Sequence, residues 1–404
     1  MDFTCKNEIQ EFTIDDIPSE YTLSMGTMIS YNVNFSGLET KKIHIKYKSV
    51  KNLSFLGEGA IQQRKIYRQE FYGFFGILAG TKAKLSLILK GSFDIVNFDN
   101  CFLIRNLNNK DDIEYTWGGV IPPEGKLALI MFSKKEAIWS FNHTIKLTSN
   151  NKIRNTRYYL PIEFIGGNNE IIEMKQPISS QATKIEVDAK NRRYIIEFIN
   201  TNYNEVEISI KGKLKNRCKG GWNVDLTDEE VDKLMPRKDI EDKEQLKIIA
   251  KRIIEEFDEE NKDSDFEYLD YMKIGFWVYK NIQYDYWYLG KTQYSAIDIY
   301  NMKKGVCHHF TRLSNALLYS LGYKVIYIAG FGTKNSKTFS TRELHAYSLI
   351  KINNKWYPFD STWGIFTGKL HLGHVFRNYD IKNEQWSGGD WIRFSMEIKG
   401  EFIK

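Results

Sequence analysis

Cysteine is scarce: four residues in 404, Cys5, Cys101, Cys218 and Cys307. They are too few and too scattered for a disulfide scaffold, and no pair has the CxxC spacing of a zinc ribbon. Long apolar runs are missing too. The longest largely apolar stretch, Phe71 to Ala79, falls well short of the roughly 20 residues a membrane-spanning helix needs. The opening MDFTCKNEIQEF has acids and lacks a basic region followed by an apolar core, so no secretory signal is expected. With 42% hydrophobic and 27% charged residues, wholesale disorder and fibrous chains are excluded. These absences predict a soluble, cytoplasmic globular protein with no membrane span. Its length exceeds one typical domain, so two or three are expected.

A net charge of +6 raises the question of nucleic acid, and its distribution answers it. Residues 222–270 hold 18 acids against 8 bases, so the excess of bases is spread over the rest of the chain. Those bases are dispersed along strand-like segments, with no RNP-like, zinc-finger or Gly-Lys-rich signature. No nucleic-acid partner is expected.

The first half has the texture of β structure. Leu85–Leu89, Leu127–Phe132, Tyr158–Ile165, Lys184–Asp188, Tyr194–Ile199 and Val206–Ile210 are short runs of β-branched and aromatic residues. Pro122-Pro123, Asn150-Asn151 and Gly166-Gly167 punctuate them. Val206, Ile208 and Ile210 alternate with Glu205, Glu207 and Ser209, as a half-buried strand requires. Two β-sandwich-like modules are expected, 1–135 and 136–215. From Lys211 to Trp222 the chain reads as a connector. Thr227 with Glu230 makes a capping box for a short helix. Lys243–Phe257 and Phe266–Tyr279 carry apolar stripes at helical spacing. A third domain, 220–404, is therefore expected to be α+β.

Five of the seven histidines follow residue 300 (His308, His309, His345, His371, His374), and Cys307 lies among them. Leu313, Ala316, Leu317 and Leu321 share one helix face and Gly322 supplies the stop, which puts Cys307 in the first turn. There the unpaired backbone N–H groups and the positive end of the dipole favour thiolate over thiol. The other three cysteines are expected to be inert packing residues. A thiolate catalyst also needs a base and a group to orient it. Leu344–Ile352 and Lys355–Ser361 read as strands joined by Asn353-Asn354, residues that tolerate the left-handed conformation. In that register His345 faces Thr362 and Asp360 faces Tyr347. His345 and Asp360 then share one face as diagonal neighbours, about 7–8 Å apart at Cβ.

The segment from about Tyr268 to Tyr379 resembles the transglutaminase-like superfamily of papain-like thiol enzymes, nearest in look to its bacterial and kyphoscoliosis-peptidase-type members. The matching residues are Gly305-Val306-Cys307, Ser320-Leu321-Gly322-Tyr323, His345-Ala346 and Asp360-Ser361-Thr362-Trp363. Residues 281–290 (NIQYDYWYLG) and Ala296-x-Asp298 fit the same pattern. The resemblance implies a helix-borne Cys packed on an antiparallel sheet bearing His and Asp, with Cys307 as nucleophile, His345 as base and Asp360 as orienter. It implies attack on amide bonds of a protein or peptide through a thioester, and no cofactor. Gln283 and Trp287, in the upstream segment, are candidates for the second oxyanion donor beside the Cys307 N–H. Animal cross-linking transglutaminases usually have Gln-Cys-Trp where this chain has Val306-Cys307-His308, and they bring calcium sites not recognisable here. Hydrolysis, by a protease or deamidase, is therefore expected ahead of cross-linking.

Two other readings compete. His308 and His309 with a His371-x-x-His374 pair have the donors for a metal, but the run KLHLGH lacks a Glu base and contains Gly, so no metal is expected. A non-catalytic scaffold is the other, with the β-rich modules recruiting a protein partner. Retention of all three of Cys307, His345 and Asp360 weighs against it. The segment after Tyr379, with Trp386, Trp391 and Phe394, is expected to complete the catalytic sheet.

Overall fold

The computed structural model describes residues 136–402 apart from 154–155, 162–163, 165, 189–192, 218–219, 225, 261, 263–267, 334–337, 367, 369, 371, 380–385 and 388–391. Of the first 135 residues it describes 7–18, 22–24, 28–30, 43–49, 61–67, 82–89, 93–98, 103–106, 113–120 and 126–134. Cys5, Cys101, Cys218, His371, Trp391, the stretch 71–79 and Pro122-Pro123 lie outside the described residues. In the first part the backbone forms antiparallel strand pairs. Residues 113–120 lie between 82–89 and 103–106, and 126–134 lie between 61–67 and 93–98.

From residue 136 the chain builds strand-rich structure first and mixed structure afterwards. Strands β1 (Glu136–Ile153), β2 (Thr156–Pro161), β3 (Asn169–Met174), β4 (Lys184–Asp188), β5 (Arg193–Phe198) and β6 (Tyr203–Arg217) come first. Helices α1 (Asp228–Lys233), α2 (Arg237–Glu241), α3 (Lys243–Glu260) and α4 (Asp270–Asn281) follow. Next come β7 (Gln283–Tyr284), α5 (Ala296–Met302), β8 (Lys304–Gly305) and α6 (Cys307–Ser320). The last part runs through β9 (Val325–Gly332), β10 (Thr338–Ser340), β11 (Leu344–Ile352), β12 (Lys355–Phe359), β13 (His374–Tyr379), β14 (Trp386–Ser387) and β15 (Ile392–Phe402).

Local sequence explains most of these elements. In β6, Val206, Ile208 and Ile210 are buried while Glu205 and Glu207 are exposed, as period-2 alternation requires. The capping box at α1 is formed: Thr227 N donates to Glu230 Oε2 at 2.8 Å, and Glu230 N donates to Thr227 Oγ1 at 3.3 Å. In α3, Leu246, Ile249, Ile253 and Phe257 are buried. Gly322, with φ of 98°, ends the helix after Ser320.

Two expectations need correction. The supposed connector from Lys211 is the second half of β6, paired residue by residue with Glu136–Asn142 of β1. Its lysines concealed an alternation in which Leu214 and Asn216 point inward. Among the described residues, the segment after Tyr379 does not complete the sheet that bears His345. Its long strand β15 pairs instead with β1 along Trp139–Ser149 and with β10. The apolar alternation Ile392, Phe394, Met396, Ile398 marks a strand, but not which of two sheets receives it.

The sheets are ordered β3-β6-β1-β15-β10, β4-β5-β2-β14 and β12-β11-β9-β13. The last, antiparallel throughout, is covered on both faces. Phe310, Leu313 and Leu317 of α6 share one buried cluster with Val325, Ile350 and Phe359. On the other side, Ile328, Phe331 and Tyr347 share a second cluster with Trp139, Ile196 and Val206 of the strand-rich part. Double coverage explains why six consecutive residues of β11, His345 to Ile350, are all buried. No helix among the described residues is long and apolar enough to cross a membrane.

Candidate active site

The approach to Cys307 is held by two short parallel strands. Gln283 pairs with Lys304 and Tyr284 with Gly305, and Asp285 N donates to Gly305 O at 2.8 Å. Val306, the residue before α6, has extended backbone and no side-chain oxygen to cap the helix. Its own N–H is instead taken by His309 Nδ1 at 3.2 Å, the reach-back that Glu makes in a capping box. Burial, helped by neighbouring His308, lowers His309 to about 4, so the ring stays neutral and able to accept. Glycine is needed at 305, where a Cβ would come within 2.5 Å of His309 Cβ. Farther along α6, Arg312 grips the buried Asp239 with Nε at 2.8 Å and Nη2 at 3.1 Å.

His345 and Asp360 come from the hairpin of β11 and β12. Ser348 pairs with Phe359 and Ile352 with Lys355, the register expected from a two-residue turn. Asn353 and Asn354 occupy that turn with φ of 49° and 61°, as a type I′ turn demands. Beyond the last paired residue, Asp360 opens a loop closed by Asp360 N to Ile365 O at 2.8 Å and its reciprocal at 2.9 Å. Thr362 N and Trp363 N donate to Asp360 Oδ1 at 2.7 and 3.3 Å, which fixes the carboxylate plane.

The three expected residues meet. His345 Nε2 lies 2.7 Å from Asp360 Oδ2, and the His345 side chain hydrogen-bonds the Cys307 thiol. Cys307 and His345 are 9% and 8% exposed and Asp360 is fully buried. Burial opposes ionisation of Cys307, but the His345 hydrogen bond and charge, with the Ala346 N–H, outweigh it and lower the thiol. Burial would likewise discharge His345, yet the Asp360 charge and hydrogen bond raise it to about 10. Asp360 stays far below the usual carboxylate range because the charge and hydrogen bonds of its two histidine partners overcome its desolvation. Such a set favours a thiolate–imidazolium pair at neutral pH.

A second imidazole completes the cluster. His374 Nε2 lies 2.9 Å from the same Asp360 Oδ2. Trp363 packs on both rings, 4.7 Å from each centroid. The main-chain oxygen of His374 accepts from Asn168 Nδ2 at 3.1 Å and Asn216 Nδ2 at 3.0 Å. Those asparagines are buried and joined at 2.6 Å. His345, Asp360 and His374 form the single group of at least three His, Cys, Asp or Glu among the described residues with potential ligand atoms within 4.8 Å of one another. Those atoms already hydrogen-bond one another. Metal binding through His308 and His309 gains no third partner among the described residues.

Both expected oxyanion donors have exposed side chains. Gln283 is exposed at its side chain, with its N–H spent on Lys303 O. Trp287 is 64% exposed and covered on one face by Lys291. Tyr284, between them, is 41% exposed and has Cys307 among the groups that shift its phenol. Burial, then the nearby Cys307, raises that phenol well above its ordinary value, so it remains a donor. Sequence reasoning did not single out Tyr284 and weighed His374 only as one of a pair of metal donors. The one available signal for Tyr284 was its place within residues 281–290.

A family model described as the transglutaminase-like superfamily matches residues 253–361, so this quarter of the chain is a transglutaminase-like domain. Among solved structures, a candidate cysteine protease from Cytophaga hutchinsonii is 18% identical at a TM-score of 0.45, over 67% of this chain and 91% of that one. A TGase is 14% identical at 0.23, over 48% of this chain and 52% of that one. A candidate protease from Parabacteroides distasonis ATCC 8503 is 8% identical at 0.24, over 74% and 62%. No curated protein matches the sequence.

Proposed function

We propose that this chain is a cysteine-dependent hydrolase, a protease or deamidase, that attacks amide bonds of proteins or peptides through a thioester on Cys307. One observation carries the reading: the buried His345 joins the Cys307 thiol on one side and Asp360 at 2.7 Å on the other. The thiolate adds to the amide carbonyl, forming the S–C bond. The imidazolium of His345 gives its proton to the departing nitrogen as the C–N bond breaks, so ammonia or an amine leaves. Water then attacks the thioester, with neutral His345 taking its proton, and the acid and thiolate are released. Asp360 orients His345 and stays ionised throughout.

The Cys307 N–H at the start of α6 is the first oxyanion donor in this reading. Tyr284 joins Gln283 and Trp287 as a candidate for the second, because its phenol neighbours Cys307 and can donate to an oxyanion. The strand-rich parts, 1–135 and 136–215, are read as β-sandwich-like modules that present a protein substrate or partner to the 220–404 domain. A reducing cytoplasm suits a free catalytic thiol.

The test compares wild type with Cys307→Ser in a protein lysate, followed by mass spectrometry. New peptide termini or +1 Da deamidation, absent in the variant, support the hydrolase. Isopeptide links in their place would establish acyl transfer, and no change with either protein would leave the fold as a scaffold.

A further inference from the structure

We propose that His374 is a positioning residue of the thiol site, moderating the hold of Asp360 on His345 so that the imidazolium can surrender its proton. The inference rests on the thiol-enzyme reading above and adds to it a residue outside the matched segment 253–361.

Asp360 Oδ2 is shared between two imidazole nitrogens, His345 Nε2 at 2.7 Å and His374 Nε2 at 2.9 Å. Oδ1 is meanwhile committed to the Thr362 and Trp363 main chain. The carboxylate plane is therefore set without His374, and what His374 changes is how much negative charge Oδ2 offers His345. A donor on a carboxylate oxygen stabilises the anion and weakens its pull on any other partner, more so inside a protein than in water. The sign is the same whether His374 is neutral or charged. A general acid held too tightly protonates its leaving group poorly, so a competing donor serves turnover. The other titratable groups facing this cluster are Cys307 from α6, Tyr284 from β7, and Tyr347 from β11, whose ring lies 5.2 Å from that of His374.

His374 is also anchored beyond its own sheet. Asn168, just before β3, and Asn216 of β6 hold its main-chain oxygen, and Asn216 Nδ2 additionally reaches Leu372 O at 3.0 Å. Buried amides joined this way keep one register for the start of β13. Gly167 beside them leaves room for Phe376, which a Cβ there would meet at 2.7 Å. The strand-rich part thereby sets the second imidazole against the carboxylate.

The experiment follows alkylation of Cys307 by iodoacetamide against pH in the full chain, with the modified peptide identified by mass spectrometry. Wild type, His374→Phe, His374→Gln and Asn216→Ala are compared, with thermal unfolding in parallel. Losing the donor strengthens the Asp360–His345 pairing, so in His374→Phe the alkaline limb, where His345 loses its proton, moves up by about 0.5–1 pH unit. His374→Gln, which keeps an N–H, lies between His374→Phe and wild type. Asn216→Ala, which loosens the main chain of His374 without touching the cluster, shifts the alkaline limb the same way by less, and serves if His374→Phe does not fold. Limbs at the wild-type positions in every folded variant, even with lowered thermal stability, would overturn the proposal and leave His374 as packing. Absence of enhanced Cys307 reactivity in wild type itself would instead overturn the thiol-enzyme reading.

Discussion

His345 and His374 meet at one oxygen: their rings, 5.3 Å apart, each bring Nε2 to Asp360 Oδ2. Asp360 is thus the hub of the site, and its charge decides whether the thiol ionises. Its replacement by Asn is isosteric but removes that charge and turns the shared acceptor into an NH2 donor. His345 then drops from its raised value, and Cys307 loses the imidazolium that lowers it. In Asp360→Asn the onset of Cys307 alkylation moves up towards the ordinary thiol range near pH 8.5. Turnover on any substrate falls by at least ~100-fold. A pH profile of peptide-resolved labelling checks the shift.

The working window follows from the same pair. Cys307 is lowered and His345 is raised to about 10. The ion pair therefore forms below the ordinary thiol pKa and persists until His345 loses its proton near pH 10. The stability contributed by protonated His345 is present below its unfolded pKa of about 6.5 and is lost as pH rises through about 10. That of Asp360 is present above about pH 4 and is lost only as pH falls well below it. Thermal unfolding midpoints across pH 4–11 should show a plateau with an alkaline decline that His345→Ala abolishes.

Gly332 sits under the His345 imidazole. A Cβ there would stand 2.8 Å from both Cβ and Cγ of His345, so Gly332→Ala displaces the ring by several tenths of an ångström. A misplacement of that order costs up to about 100-fold in turnover. Expected, therefore, is a folded protein with weakened Cys307 labelling at neutral pH; wild-type labelling would show that the strand yields instead of the ring.

Tyr284→Phe separates nucleophile from oxyanion stabilisation. The thiolate keeps His345 and Ala346 as partners, so labelling of Cys307 changes little. Acylation by an amide substrate loses one donor, worth on the order of 100-fold in kcat. A parallel loss in both measurements would assign Tyr284 to the thiol alone.

The anchor of α6 is a stability matter. Asp239 is fully buried against Arg312 and also accepts the Ala296 N–H at 3.0 Å. Asp239→Ala leaves the guanidinium without its carboxylate and should cost about 3 kcal/mol, measured as a drop in the denaturant midpoint.

What the sequence disclosed was local. The turn at Asn353-Asn354 fixed the β11–β12 register, which is why the facing of His345 and Asp360 could be worked out to the residue. The first-turn position of Cys307 followed from the stripe Leu313, Ala316, Leu317. What stayed hidden depends on contacts between distant segments. His374 is 14 residues from Asp360 across a loop with no periodic pattern, and its anchors Asn168 and Asn216 lie more than 150 residues upstream. Tyr284 was not singled out because nothing in its own segment shows the parallel pairing with Gly305 that brings its strand beside the start of α6. In the same way, polar Lys213 and Lys215 disguised the end of β6, although its inward residues kept the strand alternation.

The placement of β15 has a kinetic consequence. Residues 392–402 lie inside the five-stranded sheet, between β1, some 250 residues earlier, and β10. Pairing at that separation closes a very large loop, a slow step that local helices such as α3 and α6 do not need. During synthesis the helices and the His345 hairpin can form while β1 still has an open edge where β15 will sit. The thiol site would thus begin to assemble before its supporting sheet is closed, and that unpaired edge is the stretch most exposed to misassociation in the interval.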